Sequence, residues 1–162
     1  ISAWVRASWV DPRLDWTANA EWDAHVNFTT WSASNPERAD RVWTPNFELY
    51  NAVESITADS NPIREIVYGY RGGYLFWSRP GVIKSLCSWD GLEAWPYGEL
   101  TCELEFGGWD RSAYTVDYHV MDPAVEFGGG DTSSERFSEY KIVDYSVSRK
   151  EFFYSCCPNE PW

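Results

Sequence analysis

The sequence predicts an all-β sandwich. Three observations lead there: short runs alternate apolar with polar residues, turn chemistry separates the runs, and helical periodicity is nearly absent. Cys102, Leu104 and Phe106 interleave with Glu103 and Glu105, while Tyr114, Val116, Tyr118 and Val120 interleave with Thr115, Asp117 and His119. A period of two puts alternate side chains on opposite faces, as half-buried strands require. Similar runs occupy Ser2 to Trp9, Ile66 to Tyr70, Tyr74 to Trp77, Tyr140 to Val147 and Glu151 to Tyr154. Gly72-Gly73 and Gly128-Gly129-Gly130 punctuate them, and Asn35-Pro36, Pro45-Asn46 and Asn61-Pro62 read as loops. The one helical candidate, Asn35 to Arg41, is short. Strands of this length with no repeat and no linker close into two packed antiparallel sheets.

At 162 residues the chain suits a single domain spanning 1–162. No stretch reaches the roughly 18 consecutive apolar residues that a spanning helix needs. The start at Ile1, without Met or a charged-then-apolar leader, reads as a trimmed end. A formal net charge of -12 disfavours nucleic acid and anionic membrane surfaces and favours a cationic partner, although acidity also serves solubility alone. Eleven Trp, ten Tyr and eight Phe exceed what a core of this size uses, so some rings line a recognition surface, either a cation cage or a sugar-stacking platform. Four Cys and the sequon Asn27-Phe28-Thr29 point to an oxidising, extracellular setting with Asn27 as glycan acceptor. His25 and His119 stand alone, outside any Cys/His spacing, so neither a metal nor another cofactor is expected. No pair of carboxylates is singled out as the acid and base of a glycosidase, and no catalysis is expected.

The most specific local feature is Cys156-Cys157 within Tyr154-Ser155-Cys156-Cys157-Pro158-Asn159-Glu160-Pro161-Trp162. Adjacent Cys can bond to each other in a tight ring, or each can bond elsewhere, since four Cys allow three connectivities. The segment resembles loop C of nicotinic receptor principal subunits and acetylcholine-binding proteins, in the Cys-loop family of pentameric ligand-gated channels. That resemblance implies a Cys156–Cys157 bond at a loop tip, with Tyr154 and Trp162 as walls of an agonist site.

Cys87 and Cys102 enclose fourteen residues around Trp95-Pro96-Tyr97, similar to the disulfide loop that names the family, with Gly98 where receptors carry Asp. The implied bridge is worth about 3 kcal/mol by loop-closure entropy. Trp9, Asp11, Leu14 and Trp16 resemble the family's Trp-x-Asp-x-x-Leu-x-Trp signature, and Trp4, five residues earlier, matches its loop D aromatic. Trp9, Trp16 and Trp43 are read as structural. Trp43-Thr44-Pro45-Asn46 followed by Tyr50-Asn51 is similar to loop A, with Tyr50 as the binding phenol and Asn46 where Asp is usual. Phe106-Gly107-Gly108-Trp109 resembles loop B, with Trp109 as the central indole and Glu105 where Lys often stands. The run Gly73 to Cys87 looks like the loop E strand, with Phe76 and Ser78 facing the ligand.

The resemblance implies an immunoglobulin-like β-sandwich with Greek-key connections, lacking here the family's N-terminal helix with its first strand and its last strand. It further implies a small cationic ligand of the acetylcholine or nicotine class. Tyr50, Trp109, Tyr154, Cys156, Cys157 and Trp162 form the principal face; Trp4, Phe76 and Ser78 form the complementary face of a neighbouring subunit. Two faces on opposite sides require head-to-tail assembly, a homo- or hetero-pentamer in the family, reaching a membrane only if transmembrane helices follow. The competing expectation is a Trp-rich carbohydrate-binding module, which leaves Cys156-Cys157 and the ordered motif series unexplained.

Overall fold

The structure, a computed structural model, describes residues 1–26, 28–32, 42–53, 66–90, 97–126, 136–137 and 140–162. Ten strands and one short helix occur among them, so the all-β expectation holds. In chain order they are β1 (Ser2–Val10), α1 (Ala20–His25), β2 (Phe28–Ser32), β3 (Phe47–Leu49), β4 (Ile66–Tyr70), β5 (Tyr74–Val82), β6 (Cys87–Asp90), β7 (Glu99–Cys102), β8 (Phe106–Gly108), β9 (Arg136–Phe137) and β10 (Tyr140–Lys141). None of the described helices is long and apolar enough to cross a membrane. The chain separates into two compact units, Ile1–Trp109 and Asp110–Trp162.

In the first unit, a four-stranded antiparallel sheet runs in the order β1-β5-β4-β2. Its register sorts the side chains. Val67, Leu75 and Trp77 are sealed from solvent, with Val5, Ala7, Trp9, Leu14 and Val42 packed against them. Full burial of each such side chain contributes about 1.5–3 kcal/mol. The opposite face carries Trp4, Phe76 and Ser78, because alternate residues on a strand point opposite ways. Flanking pairs β3-β8 and β6-β7 are two-stranded.

The turn between β4 and β5 locks onto the stretch after β1. Gly73 adopts φ +72, and a Cβ there would lie 2.3 Å from the Asp11 carbonyl oxygen. Only glycine combines that conformation with that approach. Asp11 N–H donates to the Gly73 carbonyl (2.9 Å), and Gly72 N–H donates to Asp15 Oδ1 (3.1 Å). The Trp9 ring meets Trp43 edge-on at 5.5 Å, and buried Trp16 donates its indole N–H to the Val26 carbonyl, consistent with structural roles for both.

Several expected strands come out shorter. Between β7 and β8, residues 103–105 leave the ladder because the Asn51 side chain binds them, donating to the Glu103 carbonyl (2.8 Å) and accepting from Glu105 N–H (3.2 Å). The Tyr114 to Val120 run forms no strand: Thr115 and Val116 N–H both donate to the Ser112 carbonyl, closing a turn. No residue of the run is fully buried: Tyr114 and Val120 are exposed, and only Val116 and Tyr118 are half-buried. Strand structure in the Tyr140 to Val147 run is confined to β10, and in the Glu151 to Tyr154 run to a single bridge, Phe153 to Pro161. The helix α1 was not expected; Asn19 caps it, accepting from Glu21 and Trp22 N–H. The candidate helix at Asn35 to Arg41, the sequon residue Asn27 and the glycine run 128–130 lie outside the described residues.

Candidate functional site

Tyr50 and Trp109 meet in the first unit. Pairing of β3 with β8 brings the ends of their two loops together, with Phe47 opposite Gly108 and Leu49 opposite Phe106. The Trp109 N–H donates to the Asn46 carbonyl (3.2 Å), so Asn46 serves through its backbone. The Tyr50 hydroxyl donates to the Gly108 carbonyl at 2.5 Å, and its ring lies edge-on to Trp109 with centroids 6.3 Å apart. Gly107 makes this possible: a Cβ on it would sit 2.6 Å from the Tyr50 oxygen. Trp109 itself is 70% exposed. An indole held at its backbone, set beside the Tyr50 ring and largely exposed, offers π-density that a cation can reach.

On the exposed face of the β1–β5 sheet, Trp4 pairs in register with Pro80, Arg6 with Ser78, and Ser8 with Phe76. Trp4, Ser78 and Phe76 therefore share one face along successive rows. Trp4 is 61% exposed. Aromatic rings continue along it, Tyr68 beside Phe76 at 6.4 Å and Tyr74 beside Tyr70 at 5.9 Å. Tyr70, Tyr74 and Phe76 line a shallow depression of about 410 Å³. Tyr70 and Tyr74 were not among the sequence-derived candidates; their place across a Gly-Gly turn was the available signal.

In the second unit, Tyr154 and Trp162 face each other across a hairpin, ring centroids 6.4 Å apart at 71°. Reciprocal bonds between Phe152 and Trp162 (2.8 and 2.9 Å) close its base. Cys157 N–H donates to the Tyr154 carbonyl and Glu160 N–H to that of Cys157, both at 3.0 Å, shaping the tip. The Trp162 indole N–H is buried with no acceptor among the described residues. The return arm is tied to the start of the unit by Ala113 N–H to the Pro161 carbonyl and the Tyr114 hydroxyl to the Asn159 carbonyl, both 2.8 Å.

The cysteines divide. Cys87 and Cys102 are register partners across β6 and β7 and are disulfide-bonded. Cys156 and Cys157, expected to be bonded, bring their sulfurs to within 2.7 Å of each other, well inside van der Waals contact. Of the disulfide loop's core, Trp95 and Pro96 lie outside the described residues, and Tyr97 is exposed. No group of His, Cys, Asp and Glu suited to a metal occurs among the described residues.

Comparison with known proteins gives a consistent result. The family model for the neurotransmitter-gated ion-channel ligand binding domain matches residues 1–162. The acetylcholine receptor subunit alpha-type acr-16 of Caenorhabditis elegans is 32% identical over 166 residues, covering 100% of this chain and 29% of the relative. The neuronal acetylcholine receptor subunit alpha-6 of Mus musculus is 28% identical, covering 95% of this chain and 28% of its own length. The chain thus spans under a third of these relatives. Among solved structures, the acetylcholine-binding protein of Capitella teleta, in complex with lobeline, superposes with a TM-score of 0.61 at 24% identity, over 99% of this chain and 66% of that one. That likeness establishes the fold.

Proposed function

The chain belongs to the neurotransmitter-gated ion-channel ligand-binding domain family, a family of extracellular binding domains and not of enzymes, and from that premise we propose that it binds a small cationic amine of the acetylcholine or nicotine class. The observation carrying this reading is the anchored pair of Tyr50 and Trp109: the phenol is fixed by the Gly108 carbonyl and the indole beside it is left largely exposed. Each desolvated ring face contributes about 0.5–2 kcal/mol toward a cation, so several together yield micromolar binding or better. The net charge of -12 adds a general attraction for such a ligand.

In this reading Tyr50, Trp109, Tyr154 and Trp162 belong to the principal face, with Cys156 and Cys157 bonded to each other in the oxidising medium outside the cell. Trp4, Phe76 and Ser78 of the next copy supply the complementary face, in a ring of five subunits. Their position on the exposed side of the β1–β5 sheet supports that role, since rings there have no core to fill.

Tryptophan fluorescence of the full-length protein, titrated with acetylcholine, nicotine and a panel of oligosaccharides, tests the proposal. Saturable change with the amines is expected, and Trp109→Ala should weaken it about tenfold. A response to sugars alone would move the function to carbohydrate binding.

A further inference from the structure

The hairpin that carries Tyr154 and Trp162 is fastened at its base by a side chain with no part in the aromatic site. From Ile142 to Phe152 the described chain joins no ladder, so no sheet sets the direction of the arm leading into the hairpin. Arg149 ties that arm down. Its Nη2 lies 2.5 Å from Asp117 Oδ1, its Nη1 lies 2.6 Å from Glu151 Oε1, and its Nε donates to the Tyr118 carbonyl at 2.8 Å. Asp117 is shared, its other oxygen lying 2.9 Å from His119 Nε2.

A guanidinium is a rigid fork, so satisfying a carboxylate, a carbonyl and a second carboxylate together fixes both position and angle of the arm. The group is partly exposed, with the Arg149 side chain at 33%, so solvent screens the attraction and the contact serves geometry more than stability. The return arm has its own ties through Ala113 and Tyr114. Losing the fork therefore removes this tie from one arm and leaves those of the return arm in place.

We propose that Arg149, acting through Asp117, is a positioning residue that sets the orientation of Tyr154 against Trp162 and thereby the residence time of the bound amine. This rests on the amine-binding reading for its consequence, though not for the latch itself.

The test uses the full-length protein with Arg149→Gln, Arg149→Lys, Asp117→Asn and the Arg149→Gln/Asp117→Asn double variant. Two quantities are measured: amide hydrogen exchange at Phe152 and Trp162 without ligand, and the dissociation rate of nicotine. Each single neutralisation should speed exchange about tenfold and nicotine release about fivefold, with the double variant no worse than either single. Arg149→Lys should fall between, because one ammonium cannot span three acceptors. Additive effects in the double variant, or unchanged exchange in both singles, would overturn the latch. Should the wild-type protein not bind nicotine at all, the amine reading fails, and exchange alone decides the latch. Faster exchange with an unaltered nicotine dissociation rate would confine Arg149 to a structural role and overturn its part in binding.

Discussion

Gly107 and Tyr50 show how much of this site depends on a missing side chain. A Cβ at Gly107 would collide with the Tyr50 hydroxyl, so Gly107→Ala must swing the phenol off the Gly108 carbonyl. Tyr50→Phe removes the same hydrogen bond and keeps the ring in place. A neutral hydrogen bond is worth about 0.5–1.5 kcal/mol net, so Tyr50→Phe should weaken amine binding a few-fold. Gly107→Ala should weaken it more, through ring displacement as well. Equal losses in the fluorescence titration would show that the ring's position is irrelevant and only the hydrogen bond counts. Tyr50 and Trp109 were legible through the resemblance of their motifs to loops A and B, whereas the close approach that requires Gly107 emerges only from the structure. Whether Cys156 and Cys157 bond to each other was not legible from adjacency alone, which permits both a bond and a free pair; only the resemblance implied the bond. Mass analysis of the unreduced peptide spanning them decides it: a bonded pair is lighter by two hydrogens.

The strand that alternates is legible when both of its faces exist. β1 and β5 could be read from sequence because one side of each belongs to the core, Val5, Ala7 and Trp9 from β1 packing against Leu75 and Trp77 of β5, and the other side does not. The Tyr114 to Val120 run has the same pattern but buries no residue fully, Val116 and Tyr118 reaching only half-burial, and the backbone turns at Ser112 instead. α1 was missed although Asn19, followed by Glu21 and Asp23, is a legible start signal; six residues give too little periodicity to outweigh the neighbouring polar run. The turn between β4 and β5 supplies a contrast within one dipeptide. Gly72→Ala meets open space and bears only the cost of positive φ, about 1 kcal/mol. Gly73→Ala adds a backbone collision with Asp11, so it should destabilise by clearly more, about 2–4 kcal/mol, in urea unfolding. The same turn carries a pH signature. Asp15 is held below its ordinary pKa first by the Thr17 backbone N–H, then by the Thr17 hydroxyl, with a smaller part from Gly72 N–H. A carboxyl lowered on folding contributes stability that is complete above its unfolded value of about 3.9 and disappears as pH falls through the lower, folded one. The stability gap between wild type and Asp15→Asn should therefore be constant from pH 7 to about 5 and close in stronger acid. A gap that instead grew on acidification would reverse the assignment.

At the scale of the whole molecule, the proposed binding residues lie on surfaces that one copy has no obvious reason to join. Trp4, Phe76 and Ser78 share the exposed side of the β1–β5 sheet, while Tyr50 and Trp109 gather at the β3–β8 pair. In a head-to-tail ring every site takes one face from each neighbour, so lesions on opposite faces can complement. Trp4→Ala subunits keep an intact principal face, and Trp109→Ala subunits keep an intact complementary one. Assembled separately, either variant has a lesion in every site. Mixed in equal amounts before assembly, random arrangement places the two intact faces together at about a quarter of the interfaces. Nicotine binding in the mixture should show about that fraction of sites at wild-type affinity, a component that neither variant shows alone. Capacity is the informative quantity, because a merely destabilising lesion would change affinity or yield in proportion to its own share and restore nothing. A site enclosed within one copy would give no recovery at any ratio, and the two-subunit pocket would then have to be abandoned while the aromatic anchor at Tyr50 and Trp109 could stand.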